Sequence, residues 1–148
     1  MSVVPSQILY LEHGSSRLYA DAIQIVSTRQ VCWARPTLLI QNLPESSSHG
    51  VRQAAIANAA QSIATSQLAK YDLEGCPDLI WPIEPFQLAY DLDFFSLLIQ
   101  LKIAPEDAAA ERFPTQRSSS SRLNEFIRSF WQTHPDIFEF NPANELSS

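Results

Sequence analysis

The stretch that decides the fold is residues 8–40, ILYLEHGSSRLYADAIQIVSTRQVCWARPTLLI. Residues 8–12 and 17–26 within it are rich in aliphatic, aromatic and β-branched types, which favour strands. The segment between them, residues 13–16, holds Gly14 and two serines and is typical of a hairpin loop. The sequence therefore predicts two antiparallel strands joined by a short turn.

A third strand over residues 31–40 completes a meander. Pro36 has no backbone N–H to donate, so it marks either a bulge or an edge of the sheet. In the second strand, Leu18 and Ala20 share one face while Tyr19 and Ile23 share the other. Because both faces are apolar, we expect this strand to be central in the sheet.

Helices predominate in the predictions for the rest of the chain. Residues 71–82 fit either a second hairpin or an ordered loop, with a strand preferred over 79–81. Helices are predicted over the Ala-rich residues 51–68, which should dock only lightly, over residues 94–101, which are apolar nearly all round, in a short segment that starts at Pro105, and over residues 122–133. The predicted fold class is α+β, a small antiparallel β-sheet (an N-terminal meander) packed on three to four α-helices.

The length and composition favour a single domain. The chain has 148 residues, of which 45% are hydrophobic and 18% are charged, and these values are those of an ordinary globular protein. We expect one domain over residues 1–148, with flexible termini at 1–7 and 141–148. The serine-rich residues 114–121 predict a flexible linker before the C-terminal helix.

The scarcity of glycine excludes several enzyme classes. Three glycines cannot build the phosphate-binding loops of Walker or dinucleotide-binding proteins. Cys32 and Cys76 stand 44 residues apart and match no zinc or disulfide pattern, so we expect reduced, packed thiols. The histidines are each alone in sequence: His13, His49 and His134. We therefore expect no metal, no cofactor and no catalytic activity.

The charge distribution points to a protein partner. The net charge is −6, and residues 72–111 hold nine acidic side chains against Lys102 alone, a local net charge of −8. A basic partner surface would complement this acidic midsection, whereas nucleic acid would be repelled. The longest uncharged run, residues 53–69, is too polar to span a membrane. We expect a soluble, cytoplasmic protein.

Aromatic and arginine side chains are the best candidates for a binding surface, because these types are enriched at interface hot spots. The candidate protein-binding residues are Trp33, Arg35, Trp81 and Phe86. If the third strand lies near an edge, Trp33 and Arg35 share one exposed face. Alternatively, Trp33 is a core residue and Arg35 pairs with Asp21 or Glu12 across strands.

These observations favour a non-catalytic accessory or assembly protein that binds another protein. One alternative is a small-molecule-binding or weakly catalytic domain, with a pocket between sheet and helices near Trp33, Trp81 and Cys76. Another is a homo-oligomeric structural subunit that pairs through an edge strand or the C-terminal helix.

Four segments carry a resemblance to a known family. They are YLEHG at residues 10–14, RLYA at 17–20, CWARP at 32–36, and YDL at 71–73 followed by PDLIWP at 77–82. The sequence resembles an uncharacterised family of small conserved cyanobacterial proteins. The resemblance implies the cytoplasm of a phototroph and a role beside the photosynthetic or carbon-fixing machinery, and it supplies no catalytic or cofactor motif.

Overall fold

The fold combines one antiparallel sheet with helices on both of its faces. The computed structural model describes residues 7–44, 49–61, 68–89, 93–102 and 116–135. The strands are β1 (Ile8–His13), β2 (Ser16–Val26), β3 (Val31–Gln41), β4 (Ala69–Asp72), β5 (Leu79–Pro82) and β6 (Gln87–Leu88). The α-helices in these ranges are α1 (His49–Gln61), α2 (Asp93–Lys102) and α3 (Gln116–Thr133), and a short 3-10 helix at Ser27–Arg29 joins β2 to β3. The predicted α+β class is confirmed, with three helices of the three to four expected.

The N-terminal meander forms the centre of the sheet. β2 pairs with β1 on one side and with β3 on the other, all antiparallel, which confirms its predicted central position. β6 extends the sheet beyond β1. β4 and β5 do not form a hairpin with each other, since both pair with β3, at residues 38–41 and 31–34 respectively. The turn between β1 and β2 uses Gly14 at φ 57°, a conformation that glycine adopts without steric cost.

β3 carries partners on both sides, so of the two alternatives for Pro36, a bulge or an edge, the structure excludes the edge. Pro36 instead marks a bulge, where Thr37 has no partner in β2. It also falls in the gap between the segments that pair with β4 and with β5. A second bulge lies at Ile23 in β2. The missing N–H of Pro36 is therefore accommodated inside the sheet.

α3 covers one face of the sheet, here called the α3 face. Phe126 and Phe130 of the helix are buried and pack with Leu11 and Leu18 of the sheet. Trp81 reaches the same core, with its ring 5.4 Å from that of Phe130. Full burial of an aromatic side chain of this kind contributes roughly 1.5–3 kcal/mol. This core fixes α3 against the meander.

α1 and α2 cover part of the opposite face, here called the α1/α2 face. Ile56 of α1 and Phe94 of α2 are buried against Tyr19 and Leu38 of the sheet. Ile56 has no exposed surface, so α1 is anchored more firmly than its alanine-rich sequence indicates. The sequence of α2 is apolar nearly all round, but only one side of the helix is buried, because Phe95 and Ile99 on its second apolar side are exposed.

Two helix boundaries differ from the predictions. α1 ends at Gln61 rather than at residue 68. α3 begins at Gln116 rather than at residue 122, so residues 116–121 of the predicted linker form the first turns of the helix. Serine costs an α-helix only a fraction of a kcal/mol per residue, which the packing of the later turns offsets. The helix predicted from Pro105 and the termini 1–6 and 141–148 lie outside the described residues.

Among the helices in the described ranges, none combines the length and the apolarity needed to cross a membrane.

Candidate functional site

Part of the α1/α2 face is left open by the two helices. In the register of the sheet, Trp33 stands between Gln24 of β2 and Ile80 of β5. Arg35 lies two residues along β3 on the same face, opposite Asp21. Trp33 is 37% exposed and Ile80 is 72% exposed. This end of the sheet therefore presents two large apolar side chains to solvent, in contrast to the buried end under α1 and α2.

Asp78, just before β5, holds the two candidate side chains in position. Its Oδ2 accepts a hydrogen bond of 2.8 Å from Nε1 of Trp33. Both carboxylate oxygens face Arg35, with Nε to Oδ1 at 3.1 Å and Nη2 to Oδ2 at 3.3 Å. Hydrogen bonding from Arg35 lowers the pKa of the Asp78 carboxyl. The indole and the guanidinium are thus held in one orientation by contacts within the protein.

Asp21 lies in the same surface but is not held in this way. It occupies the central strand between Ile8 of β1 and Arg35 of β3. Partial burial raises the pKa of its carboxyl, and the positive charge of Arg35 opposes that shift. We name the surface the open sheet face and define it by six residues: Asp21, Gln24, Trp33, Arg35, Asp78 and Ile80.

The other two candidate residues lie in the core. Trp81 is 7% exposed and Phe86 is 1% exposed, and both pack on the α3 face. Since Cys32 pairs with Trp81 while Trp33 pairs with Ile80, Trp33 and Trp81 point to opposite faces of the sheet. Cys76 lies on the Trp81 side. The three residues Trp33, Trp81 and Cys76 therefore do not line one pocket.

A buried polar network lies under α1, at the far end of the same sheet face. Arg17 has no exposed surface, and its Nη2 and Nε lie 2.6 and 2.9 Å from Oε2 of Glu12. Its Nη1 donates at 3.1 Å to both the Tyr19 hydroxyl and Oε1 of Gln53. The guanidinium carbon stands 4.3 Å above the ring of Tyr10. Because its donors are occupied within the chain, we assign Arg17 a structural role.

Arg52 ties this network to two loops. It donates from Nε to the carbonyl of Pro44 at 2.9 Å and from Nη2 to that of Gly14 at 2.7 Å. Its Nη1 lies 3.6 Å from Oε2 of Glu12. The Glu12 carboxylate therefore serves two cations and joins α1 to the β1–β2 hairpin.

The sequence did not reveal a histidine pair at the end of α3. His13 and His134 stand with ring centroids 6.1 Å apart, and the ring of Phe130 contacts both. A hydrogen bond of 2.8 Å joins Nε2 of His13 to Oγ of Ser129. Burial, with the nearby His134 as a second cause, lowers the pKa of His13. This geometry packs α3 on the hairpin.

Part of the acidic midsection is neutralised by the protein itself. Nζ of Lys102 lies 3.1 Å from Oδ2 of Asp72 and 2.7 Å from Oε2 of Glu74. Asp78 is paired with Arg35, as described above. Most of the remaining acidic residues fall outside the described side chains. The midsection therefore gives weaker support for a basic partner than its charge count indicates.

The remaining candidate groups are placed as follows. Cys32 and Cys76 are buried free thiols, and burial raises the pKa of Cys32. Within the described side chains, no three His, Cys, Asp or Glu residues gather as metal ligands. An open groove of about 490 Å³ runs along α3, lined by Asn124, Ile127, Arg128, Trp131 and Gln132. These residues belong to one side of a single helix, and they bring no convergent polar group from the sheet.

Sequence reasoning did not identify two residues of the open sheet face, Asp78 and Ile80. Asp78 is 45 residues away from Trp33 in sequence, so no local pattern connects them. The exposure of Ile80 follows from alternation in β5 once Trp81 is known to face the core. Comparisons of the chain with protein-family models, with curated proteins and with solved structures found no match.

Proposed function

We propose that this protein is a non-catalytic accessory or assembly protein that binds another protein through the open sheet face. The observation that carries the proposal is the exposure of Trp33 and Ile80 side by side, on a face that is buried elsewhere by α1 and α2. Cross-strand neighbours of this kind form one continuous apolar area, and removing that area from water stabilises a complex.

The polar groups of the face support the same function. Trp33 and Arg35 are of the residue types that dominate binding energy at interfaces. Both are fixed by Asp78, so less side-chain entropy is lost when a partner docks. We place the protein in the cytoplasm as part of this proposal. Its link to the photosynthetic machinery rests on the sequence resemblance alone.

Site-specific photo-crosslinking in a lysate of the source cells tests the proposal. A benzophenone amino acid replaces Ile80 in one protein and Phe95, an exposed residue of α2, in a control. We expect a defined polypeptide to be cross-linked from position 80 and not from position 95. Its yield should fall about tenfold when Arg35→Ala or Trp33→Ala is added.

Two results would contradict the proposal. One is a product that forms equally from both positions. The other is a product from position 80 whose yield is unchanged by the substitutions at Trp33 and Arg35. The unfolding temperatures of all variants should be compared, to show that a loss of yield does not come from a loss of folding. The substituted side chains lie at the surface, so we expect the fold to stay intact.

A further inference from the structure

Asp21 stands out in the open sheet face as a carboxylate without a committed partner. Within the described part of the chain, its side chain makes no hydrogen bond and no ion pair within 4.0 Å, and its charge interacts only at longer range with Arg35. It is nevertheless half-buried in the central strand of the sheet. A carboxylate in such a position is stable only while water can still reach it.

Arg35 cannot supply the missing partner, although it stands opposite Asp21. Its guanidinium is engaged by both oxygens of Asp78, at 3.1 and 3.3 Å. Asp78 in turn is engaged by Trp33 as well. The six residues of the open sheet face therefore include two carboxylates, Asp21 and Asp78, and one cation, Arg35. Arg35 is already paired with Asp78.

A protein that docks on Trp33 and Ile80 removes the remaining water from Asp21. An ionised carboxylate that loses its water without gaining a donor weakens binding, whereas one that gains a cationic donor strengthens it. We propose that the partner segment presents a lysine or arginine side chain to Asp21 and apolar side chains to Trp33 and Ile80. This inference rests on the proposed function, and it names the chemistry of the partner.

The same charges disfavour two other occupants. A phosphate backbone would meet Asp21 and Asp78, and Arg35 is already neutralised, so nucleic acid is repelled. In a symmetric pair of this chain, each Asp21 would again face a surface whose only cation is held by Asp78. A second copy therefore offers Asp21 no free cation from the open sheet face.

Selection of random peptides displayed on phage tests the inference without knowledge of the partner. The full-length protein is the target, and peptides that also bind the Trp33→Ala/Ile80→Ser variant are discarded. We expect the surviving peptides to share a Lys or Arg next to aliphatic or aromatic residues. Synthetic copies should bind the Asp21→Asn variant about tenfold more weakly than the wild-type protein.

A second measurement keeps the test independent of how the variants fold. When the shared Lys or Arg of a selected peptide is replaced by norleucine, its affinity for the wild-type protein should also fall about tenfold. If the norleucine peptide and the original bind equally, the cation at Asp21 is refuted while the docking face stands. If no peptide distinguishes wild type from Trp33→Ala/Ile80→Ser, both the inference and the proposed function fail.

Analytical sedimentation of the protein alone tests whether a second copy of the chain docks on the open sheet face. We expect no dimer that depends on Ile80. A concentration-dependent dimer that is abolished by Ile80→Ser would assign the open sheet face to a second copy of the chain, and it would overturn the inference.

Discussion

The indole N–H of Trp33 donates a hydrogen bond of 2.8 Å to a carboxylate, Asp78, that lies 45 residues further along the chain. The same carboxylate binds Arg35 through both of its oxygens. One loop residue therefore sets the orientation of the two side chains that project from β3 into the open sheet face.

We expect Asp78→Ala to release both side chains with only a small loss of stability. Exposed ion pairs and hydrogen bonds of this kind contribute at most about 1 kcal/mol. The indole N–H resonance of Trp33, assigned through Trp33→Phe, should shift and exchange faster with solvent. Glu84→Ala, which removes an exposed carboxylate nearby in the chain, serves as the control and should leave that resonance in place. An unshifted resonance in Asp78→Ala would show that packing alone orients Trp33.

The Arg17–Glu12 pair should behave in the opposite way, because the Arg17 side chain is fully buried and that of Glu12 is only 22% exposed. Glu12→Gln keeps the shape of the side chain but removes the charge that faces the fully buried guanidinium. Breaking a fully buried pair from one side costs up to about 3–5 kcal/mol, since the remaining charge is left uncompensated, and the part-exposed Glu12 makes this the upper limit here. Chemical denaturation at pH 7 measures this change.

The matched control is Glu74→Gln, which removes the same kind of charge from the exposed pair with Lys102. We expect it to cost less than about 1 kcal/mol. If the two substitutions have equal effects, the buried network contributes no more to stability than a surface ion pair does.

The N-terminal meander was predictable because its information is local. Alternating apolar residues and Gly14 place β1, β2 and β3 within one residue of their observed ends. The pairing of β4 and β5 with β3 was not predictable, because it depends on contacts between residues 28 to 51 positions apart. Contacts of that range leave no periodicity in the sequence.

The candidate site shows the same division. Trp33 and Arg35 could be placed on one face of a strand by alternation alone, and the structure brings them together. Whether Trp81 faces the same side depends on the register of β5 against β3, which the sequence does not encode locally. The register pairs Trp81 with the buried Cys32, and this places Trp81 in the core.

The His13 environment predicts a loss of stability in acid. Burial and His134 lower the pKa of His13 in the folded protein below the 6.5 of a free histidine. As the pH falls through 6.5, the unfolded chain takes up a proton that folded His13 does not, so the free energy of unfolding decreases. The decrease stops once the pH is below the folded pKa as well.

Urea unfolding of wild type and His13→Gln between pH 7.5 and 5 tests this prediction. The variant should show a shallower decrease across that range. His134→Gln should also reduce the slope, because it removes the second cause of the shift. A slope that is the same in all three proteins would mean that other groups control the acid response.

We expect an Asp→Asn substitution to have opposite effects on stability at Asp21 and at Asp78. The pKa of Asp21 is raised by burial, so its charged form costs stability at neutral pH. The pKa of Asp78 is lowered by its bond to Arg35, so its charged form contributes stability there. At pH 7 we expect Asp21→Asn to raise the unfolding temperature by at most about 1–2 °C, the range of a surface substitution in a domain of this size, and Asp78→Asn to lower it.

The pH dependence separates these effects from simple changes in packing. When the pH falls through the raised pKa of Asp21, the carboxyl becomes neutral in the folded protein and the advantage of Asp21→Asn should shrink. The disadvantage of Asp78→Asn should shrink as the pH falls from 3.8 towards the lowered pKa of that group. If Asp21→Asn destabilises the free protein at pH 7, Asp21 already has the donor that we assign to the partner. A gain in stability combined with weaker peptide binding would instead mark Asp21 as a residue that serves docking rather than folding.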